Sequence, residues 1–485
     1  MARARRPPRA LRPRHRRPRR RRPACGAARA GAAPRGARPR RRCRRRRARR
    51  RAAAARGPRR ARRALAGGAA GRGDAPRTRR GRGGRARPRG APPHPLPLTR
   101  RTRPYLPGVH LYVHVPFCAR RCSYCDFAIA VRRDVPSRRF VETVLAEWRG
   151  WLGHPLLAEH AVLDTLYFGG GTPSRLAPAQ LEALVAGLTR ARPLAARAEV
   201  TLEANPDDVT AAAAAAWRRA GITRVSLGVQ SFDPGVLRWM HRGHTPAQSR
   251  AAVDTLREAG IEDISIDLIF AVPAALGRDW RRDLSMALLL DVPHLSVYGL
   301  TVEPQTPLAR WVARGEAAAA PDDAWATEFL LAHEELTRAG YEHYEVSNYA
   351  RPGFRAEHNS AYWHRRTYLG LGPSAHSAAG HERWWNLREW EAWAAAVEAG
   401  ESTLEGSESL GADAIRLEGL YLGLRTSDGL ARCSIPDPIL AAWREQGWAD
   451  EHGGRVWLTP EGWLRLDALV ARLAGAEART VLAPA

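Results

Sequence analysis

Tyr112-Val-His-Val-Pro-Phe-Cys118-Ala-Arg-Arg-Cys122-Ser-Tyr-Cys125-Asp-Phe127 is the stretch on which the reading of this chain turns. An apolar, β-like run leads directly into three cysteines at CxxxCxxC spacing. Thiolates are soft ligands, and clusters of them select iron–sulfur centres, zinc or copper(I). A [4Fe–4S] cube held by three thiolates keeps one iron open for a small ligand, whereas a purely electron-carrying cluster normally has four. A structural zinc site is the alternative, and it needs a fourth ligand. His110 and His114 are the nearby candidates, and both fall in the predicted strand.

Around this stretch the chain alternates β-like runs with helical patterns, which predicts βα units and a parallel sheet. The strands are expected at Val109–Val115, Thr165–Phe168, Glu199–Leu202, Arg224–Gly228, Asp263–Phe270 and Leu295–Tyr298. Helices are expected at Ser137–Gly150, Ala179–Ala191, Ala211–Ala220, Pro246–Ala259 and Trp280–Leu290. Six such units fit a partial (β/α)6 barrel of α/β class. The notable polar residues sit at or just past the strands' C-terminal ends, where barrels build their sites. The cysteine loop follows the first strand and Gly169-Gly170-Gly171-Thr172-Pro173 the second. Glu203 ends the third, Gln230 follows the fourth, Asp267 lies on the fifth, and Tyr298-Gly299-Leu300 ends the sixth.

Each of these also has a plain reading. Three glycines between strand and helix make a tight turn, or they give bare backbone on which a ligand lies closely. Glu203 and Asp267 are helix caps and solvated ends, or carboxylates for an amine or a ribose hydroxyl. Arg242, in His241-Arg242-Gly243-His244, is a surface charge or a partner for a carboxylate.

Charge divides the chain in two. All 79 basic residues are arginine, and 41 of them fall in 1–105 beside a single acid, Asp74. Residues 106–485 carry 38 arginines against 47 acidic residues, so that part offers no electrostatic reason to expect nucleic acid. The 1–105 leader is Arg/Pro/Ala/Gly-rich with few large apolar residues, and disorder is expected there. It lacks the apolar core of a signal peptide, and it lacks the serines of a transit peptide, since the first serine in the chain is Ser123. A mis-called start near Leu106 accounts for it better than a nucleic-acid-binding arm does. No run is long enough for a membrane helix. Six cysteines, with Cys25 and Cys43 in the leader and Cys433 near the end, make no disulfide framework. A reducing, cytoplasmic setting is expected.

Beyond Thr301 come Tyr341–Tyr349, His358-Asn359-Ser-Ala-Tyr362-Trp363, Tyr368–Ser377, and a tryptophan-rich helix expected around Trp384, Trp385, Trp390 and Trp393. Aromatic density of this kind packs a core or walls a flat ligand such as haem, with histidines as axial ligands. Helices at Ala414–Leu422 and Pro438–Glu445, a strand at Arg455–Leu458 and a closing helix at Pro460–Leu473 predict a small winged-helix-like unit. The expected organisation is leader 1–105, barrel 106–300, extension 301–403 and winged-helix-like 404–485.

Taken together, YVHVPFC, CxxxCxxCDF, FGGGTPS, LEANPDD, SLGVQSF, HRGH, DLIF, YEVSNYA, HNSAYW and LGLGPSAHS resemble the coproporphyrinogen oxidase-like branch of the radical S-adenosylmethionine (SAM) superfamily, and within it the haem chaperones. The resemblance runs from about Tyr105 to the C-terminal end. It implies a [4Fe–4S] cluster on Cys118, Cys122 and Cys125. SAM contacts are implied from Tyr112, Tyr124, Gly170, Gly171, Thr172, Glu203, Gln230, Arg242 and Asp267. The implied partners are haem, acceptor haemoproteins such as respiratory enzymes, and an electron donor for the cluster. The alternative is the branch's oxygen-independent coproporphyrinogen III oxidase, a radical SAM decarboxylase that makes protoporphyrinogen IX. Those oxidases resemble CxxxCxxCxC, and here the last cysteine's place holds Phe127, as in the chaperones. One departure stands out. Where the family usually has DLI-(Tyr/Phe)-Gly-Leu-Pro-Gly, this chain reads Phe270-Ala271-Val272-Pro273-Ala274, which puts that loop's approach to SAM in question.

Overall fold

A computed structural model describes residues 108–158 and 160–481. The leader, with Cys25 and Cys43, lies outside the described residues. Six parallel strands, β1 (Val109–Val115), β2 (Leu163–Gly170), β3 (Leu194–Ala204), β4 (Arg224–Gln230), β5 (Asp263–Phe270) and β6 (His294–Gly299), stand side by side in chain order. Between them run α1 (Ser137–Trp151), α2 (Pro178–Ala191), α3 (Ala211–Arg219), α4 (Pro246–Glu258) and α5 (Trp280–Leu288). This is the expected partial (β/α)6 barrel.

The strands divide cleanly by face. Leu111, Val113, Leu166, Phe168, Val225 and Ile266 are among those buried in one continuous apolar core. The alternate positions are polar: His110, Tyr112 and His114 on β1, Thr165 and Tyr167 on β2, Glu199, Thr201 and Glu203 on β3. The period-two geometry of a strand sends these to the opposite face. Side chains on that face bond to one another across strands. Thr165 Oγ1 lies 2.9 Å from His110 Nδ1, Ser226 Oγ donates to Asp267 at 3.1 Å, and Arg224 pairs with Asp263.

The chain beyond the barrel widens the same sheet. On the β6 edge, after α6 (Asp322–Arg338), β7 (Glu342–Glu345) and β8 (Asn348–Ala350) form a hairpin whose β8 runs antiparallel to β6. On the other edge, β9 (Tyr368–Leu371) lies parallel to β1, and β10 (His376–Ala379), β11 (Glu382–Asn386) and β12 (Leu404–Ser409) follow antiparallel. Twelve strands therefore share one sheet. Here the structure corrects an expectation: Trp384 and Trp385 lie on β11, and only Trp390 and Trp393 lie on helix α8 (Trp390–Ala399). Gly380, at φ +57°, turns β10 back into β11, and pairing of His376 with Trp385 fixes the register.

Helix α7 (Glu357–Trp363) carries HNSAYW onto the polar face of the barrel strands. Glu199 accepts the Glu357 and His358 backbone N–H groups at 2.8 and 3.2 Å, filling the role of a cap at the helix start. The last unit contains α9 (Ala412–Leu424), α10 (Asp437–Glu445) and α11 (Leu466–Val481). A three-stranded sheet joins them, formed by β13 (Leu430–Ala431), β14 (Ala449–His452) and β15 (Arg455–Leu458). The expected single closing helix is broken: Pro460–Trp463 ends in its own turn before α11 begins.

Candidate functional site

After β1 the chain makes a closed loop. Its mouth is zipped by Phe117–Cys118 pairing in parallel with Ala130–Val131, and Ala130 N–H donates to the Pro116 carbonyl at 2.7 Å. Inside the loop Ser123 anchors to two remote segments: its N–H donates to Met240 O at 3.3 Å and its carbonyl accepts from Leu308 N–H at 2.8 Å. His114 reaches from β1 to hold the far side. Burial drives its pKa down to about 4, so the ring is neutral. It donates from Nε2 to Ala128 O at 2.8 Å and accepts at Nδ1 from the Tyr112 hydroxyl at 3.1 Å.

Cys118, Cys122 and Cys125 line one cavity of about 520 Å3 at the C-terminal ends of the strands. Thr172 donates to Cys118 Sγ at 3.4 Å and Arg242 to Cys122 Sγ at 3.6 Å. Burial raises the Cys118 thiol and pushes Cys125 up to about 11, so ligation to a metal would release their protons. Among the described residues, no three His, Cys, Asp or Glu side chains gather on a single-ion point. A cube asks for no such point, because each of its thiolates meets a different iron. The zinc alternative also loses its fourth ligand, since His110 is bonded to Thr165 and His114 to Tyr112 and Ala128.

Tyr124, Gly170, Gly171, Thr172, Glu203, Gln230, Arg242 and Asp267 line the same cavity as the thiols. Glu203 accepts from the Tyr167 hydroxyl at 2.8 Å and from Gly170 N–H at 3.0 Å; burial, with Asp267 nearby, lifts its pKa to about 7. Burial lifts Asp267 to about 6. Arg242 donates through Nη2 to Gly228 O at 2.7 Å, while its buried Nε has no partner. A free buried donor, two carboxylates and bare Gly170–Gly171 backbone suit a small zwitterionic ligand with an amine, a carboxylate and a sugar. The residues fit a thiolate-held cluster with SAM beside it.

Tyr112 alone of the twelve residues singled out lies elsewhere. It lines an adjoining cavity of about 570 Å3, together with Tyr362, Trp363, Tyr368, His376 and Arg388. Asp126, Phe127, Gly170 and Glu203 face both cavities. Seven non-glycine residues hold positive φ among those described, and four of them line these two spaces: Gln230, His241, Arg365 and Ser374. Such strain collects at ligand sites.

His358 of HNSAYW and His376 of LGLGPSAHS have sharply different surroundings. His358 is 1% exposed, and both ring nitrogens are engaged: Nδ1 with Thr165 Oγ1 at 2.6 Å and Nε2 with the Tyr362 hydroxyl at 2.7 Å. His376 is exposed at the cavity wall. Tyr167, Ser226 and Ser296, which hold Glu203 and Asp267 in place, were not singled out from sequence. The alternation of polar residues along otherwise apolar strands is the signal that would have found them.

Residues 112–286 match the radical SAM superfamily. The heme chaperone HemW of Mycobacterium tuberculosis is 38% identical over 375 residues, covering 75% of this chain and 94% of that protein. HemW of Synechocystis is 34% identical over 350 residues, covering 69% of this chain and 82% of its own length. Among solved structures, Escherichia coli coproporphyrinogen III oxidase (HemN), described as a radical SAM enzyme, superposes with a TM-score of 0.64. It does so at 22% identity over 76% of this chain and 90% of its own, a likeness of fold.

Proposed function

The chain belongs to the HemW family of radical SAM proteins, and from that membership we propose that it is a cytoplasmic haem chaperone: it binds haem and passes it to acceptor haemoproteins. In this reading Cys118, Cys122 and Cys125 hold a [4Fe–4S] cluster. Tyr124, Gly170–Thr172, Glu203, Gln230, Arg242 and Asp267 hold SAM at its open iron. Barrel residues 106–300 carry this cofactor site. The 301–403 extension and the winged-helix-like 404–485 unit wall the haem cavity, the latter through Glu418 and Leu422.

One observation carries the reading. Two cavities meet across the cysteine loop, one lined by three thiols and the other by aromatic rings and arginines. The cluster with SAM supplies one-electron chemistry when bound, with an external donor as its electron source. The protein's own part is to position and exclude. Gly170 and Gly171 offer backbone, Arg242 offers its unpaired Nε to a carboxylate, and Glu203 and Asp267 offer acceptors to an amine or hydroxyls. Phe127, 62% exposed between the cavities, stands at the place of the extra cysteine in the oxidases' CxxxCxxCxC pattern.

The test is anaerobic. The chain with its cluster is given SAM, a reductant and coproporphyrinogen III, and in parallel is titrated with haem. The chaperone reading expects stoichiometric haem uptake and no protoporphyrinogen IX. Steady SAM-dependent protoporphyrinogen IX would make the protein an oxidase and overturn the reading.

A further inference from the structure

We propose that haem sits in the 570 Å3 cavity with its iron ligated by His376 and a propionate held by Arg388, and that His358 is a positioning residue that does not touch the iron. This rests on the haem-chaperone reading above and deepens it.

A cavity of this size lies within the range that encloses a cofactor, and it is walled by Tyr112, Phe127, Tyr362, Trp363 and Tyr368. Flat aromatic walls suit a flat macrocycle. Iron needs an imidazole nitrogen with a free lone pair, and three histidines lie in or against this wall. His114 is excluded because its nitrogens serve Tyr112 and Ala128. His358 is excluded because its nitrogens serve Thr165 and Tyr362, and because it lies behind them, its ring stacked at 4.9 Å on Tyr167. His376 remains. It projects from β10 into the cavity, and among the described residues its ring makes no hydrogen bond. It stacks on Trp385 at 5.7 Å and 23°, which fixes the ring plane while leaving its nitrogens open.

The carboxylates of haem need a counter-charge, and the arginines of the wall differ in what they have left to give. Arg365 and Arg383 both donate to Glu418, and Arg366 is likewise already engaged. Arg388 makes one hydrogen bond, from Nη2 to the Asp126 carbonyl at 3.1 Å, and has no carboxylate partner among the described residues. A guanidinium with donors to spare is the natural receiver of a propionate. Because its anchor is Asp126, next to Cys125, a carboxylate bound there touches the cysteine loop.

The experiment is an anaerobic titration of the full chain, carrying its cluster, with ferric haem. Spectra are read as differences against the same protein without haem. Wild type should give a histidine-ligated Soret band. His376→Ala should lose that band and at least tenfold in affinity, and added imidazole should restore the band. His381→Ala, an exposed neighbour outside the cavity wall, should behave as wild type. Arg388→Ala should weaken haem but not haem dimethyl ester, whose propionates are blocked. Iron content and circular dichroism confirm that each variant is folded. A wild-type band that survives unchanged in His376→Ala overturns the inference and leaves the chaperone reading standing. A wild type that takes up no haem overturns the chaperone reading itself.

Discussion

A single methyl group at Gly170 should empty the cluster site, and the route can be followed atom by atom. Gly170 ends β2 at φ +108°, in backbone that an L side chain adopts at a cost of about 1–2 kcal/mol. A Cβ there would lie 2.5 Å from His114 Nδ1 and 2.9 Å from Nε2, so the ring has to move. The ring is not free to swing, because Tyr112 and Ala128 clamp it at both nitrogens. Displacing it breaks one or both bonds, at about 1 kcal/mol each. It also strains the packing around it by about 1–3 kcal/mol. Gly170→Ala should therefore cost roughly 3–7 kcal/mol, a large part of the ~5–15 kcal/mol that holds a domain together. The bond to Ala128 O holds the far side of the cysteine loop to β1, so loss of cluster should exceed loss of helix. The assay is urea unfolding by circular dichroism together with iron and sulfide per chain after anaerobic reconstitution. Gly150→Ala, at an exposed position of α1 with nothing within 4 Å, is the control and should stabilise by up to about 1 kcal/mol. A Gly170→Ala protein with full cluster content and wild-type stability would refute the linkage through His114.

Ala271 occupies φ +57° where the family usually has glycine, and its N–H donates to Glu328 Oε2 at 2.6 Å; Ala271→Gly should raise stability by about 0.5–1 kcal/mol in the same urea assay. Glu147 is buried, accepts from Gly372 N–H and from Asn386, Trp393 and Thr403, and burial lifts its pKa to about 7. A carboxyl raised above its ordinary 4.5 binds its proton more tightly when folded, so its contribution is full below pH 4.5 and is lost as pH rises through 7. Wild type should lose about 3 kcal/mol across that window on this account, and Glu147→Gln should flatten the slope in unfolding curves taken from pH 5 to 8. Glu203, at about 7, has to ionise to hold a cationic amine, so SAM affinity measured by calorimetry on cluster-bearing protein should rise with pH through 7. In Glu203→Gln that rise should be absent.

The barrel was legible because its signals are local. Each strand is an apolar run of the right length, each helix has a 3.6-residue pattern, and Asp233, Thr245 and Asp279 cap helices by accepting backbone N–H groups. The site was legible because barrel topology delivers every strand's C-terminal end to one rim, so residues far apart in sequence had to meet. What sequence did not show depends on pairing at a distance. No local pattern says that Tyr368–Leu371 lies beside β1, and Glu382–Asn386 reads as part of an aromatic helix until a turn at Gly380 makes it a strand. Likewise HNSAYW offers a histidine to any ligand on paper. Only the structure shows that Thr165 from β2 and the Tyr362 hydroxyl already engage both His358 ring nitrogens. Ala271 is the opposite case. The missing glycine was visible in sequence, but its cost appears only with the φ angle.

The most direct test of the account is delivery. The full chain, carrying its cluster and loaded with one equivalent of haem, is mixed anaerobically with an apo-haemoprotein of the respiratory chain, and acceptor activity is followed with and without SAM. The haem-loaded chain should restore acceptor activity faster than the same haem free in buffer. If the chain takes up haem but never restores the acceptor beyond the rate of free haem, the chaperone claim is contradicted.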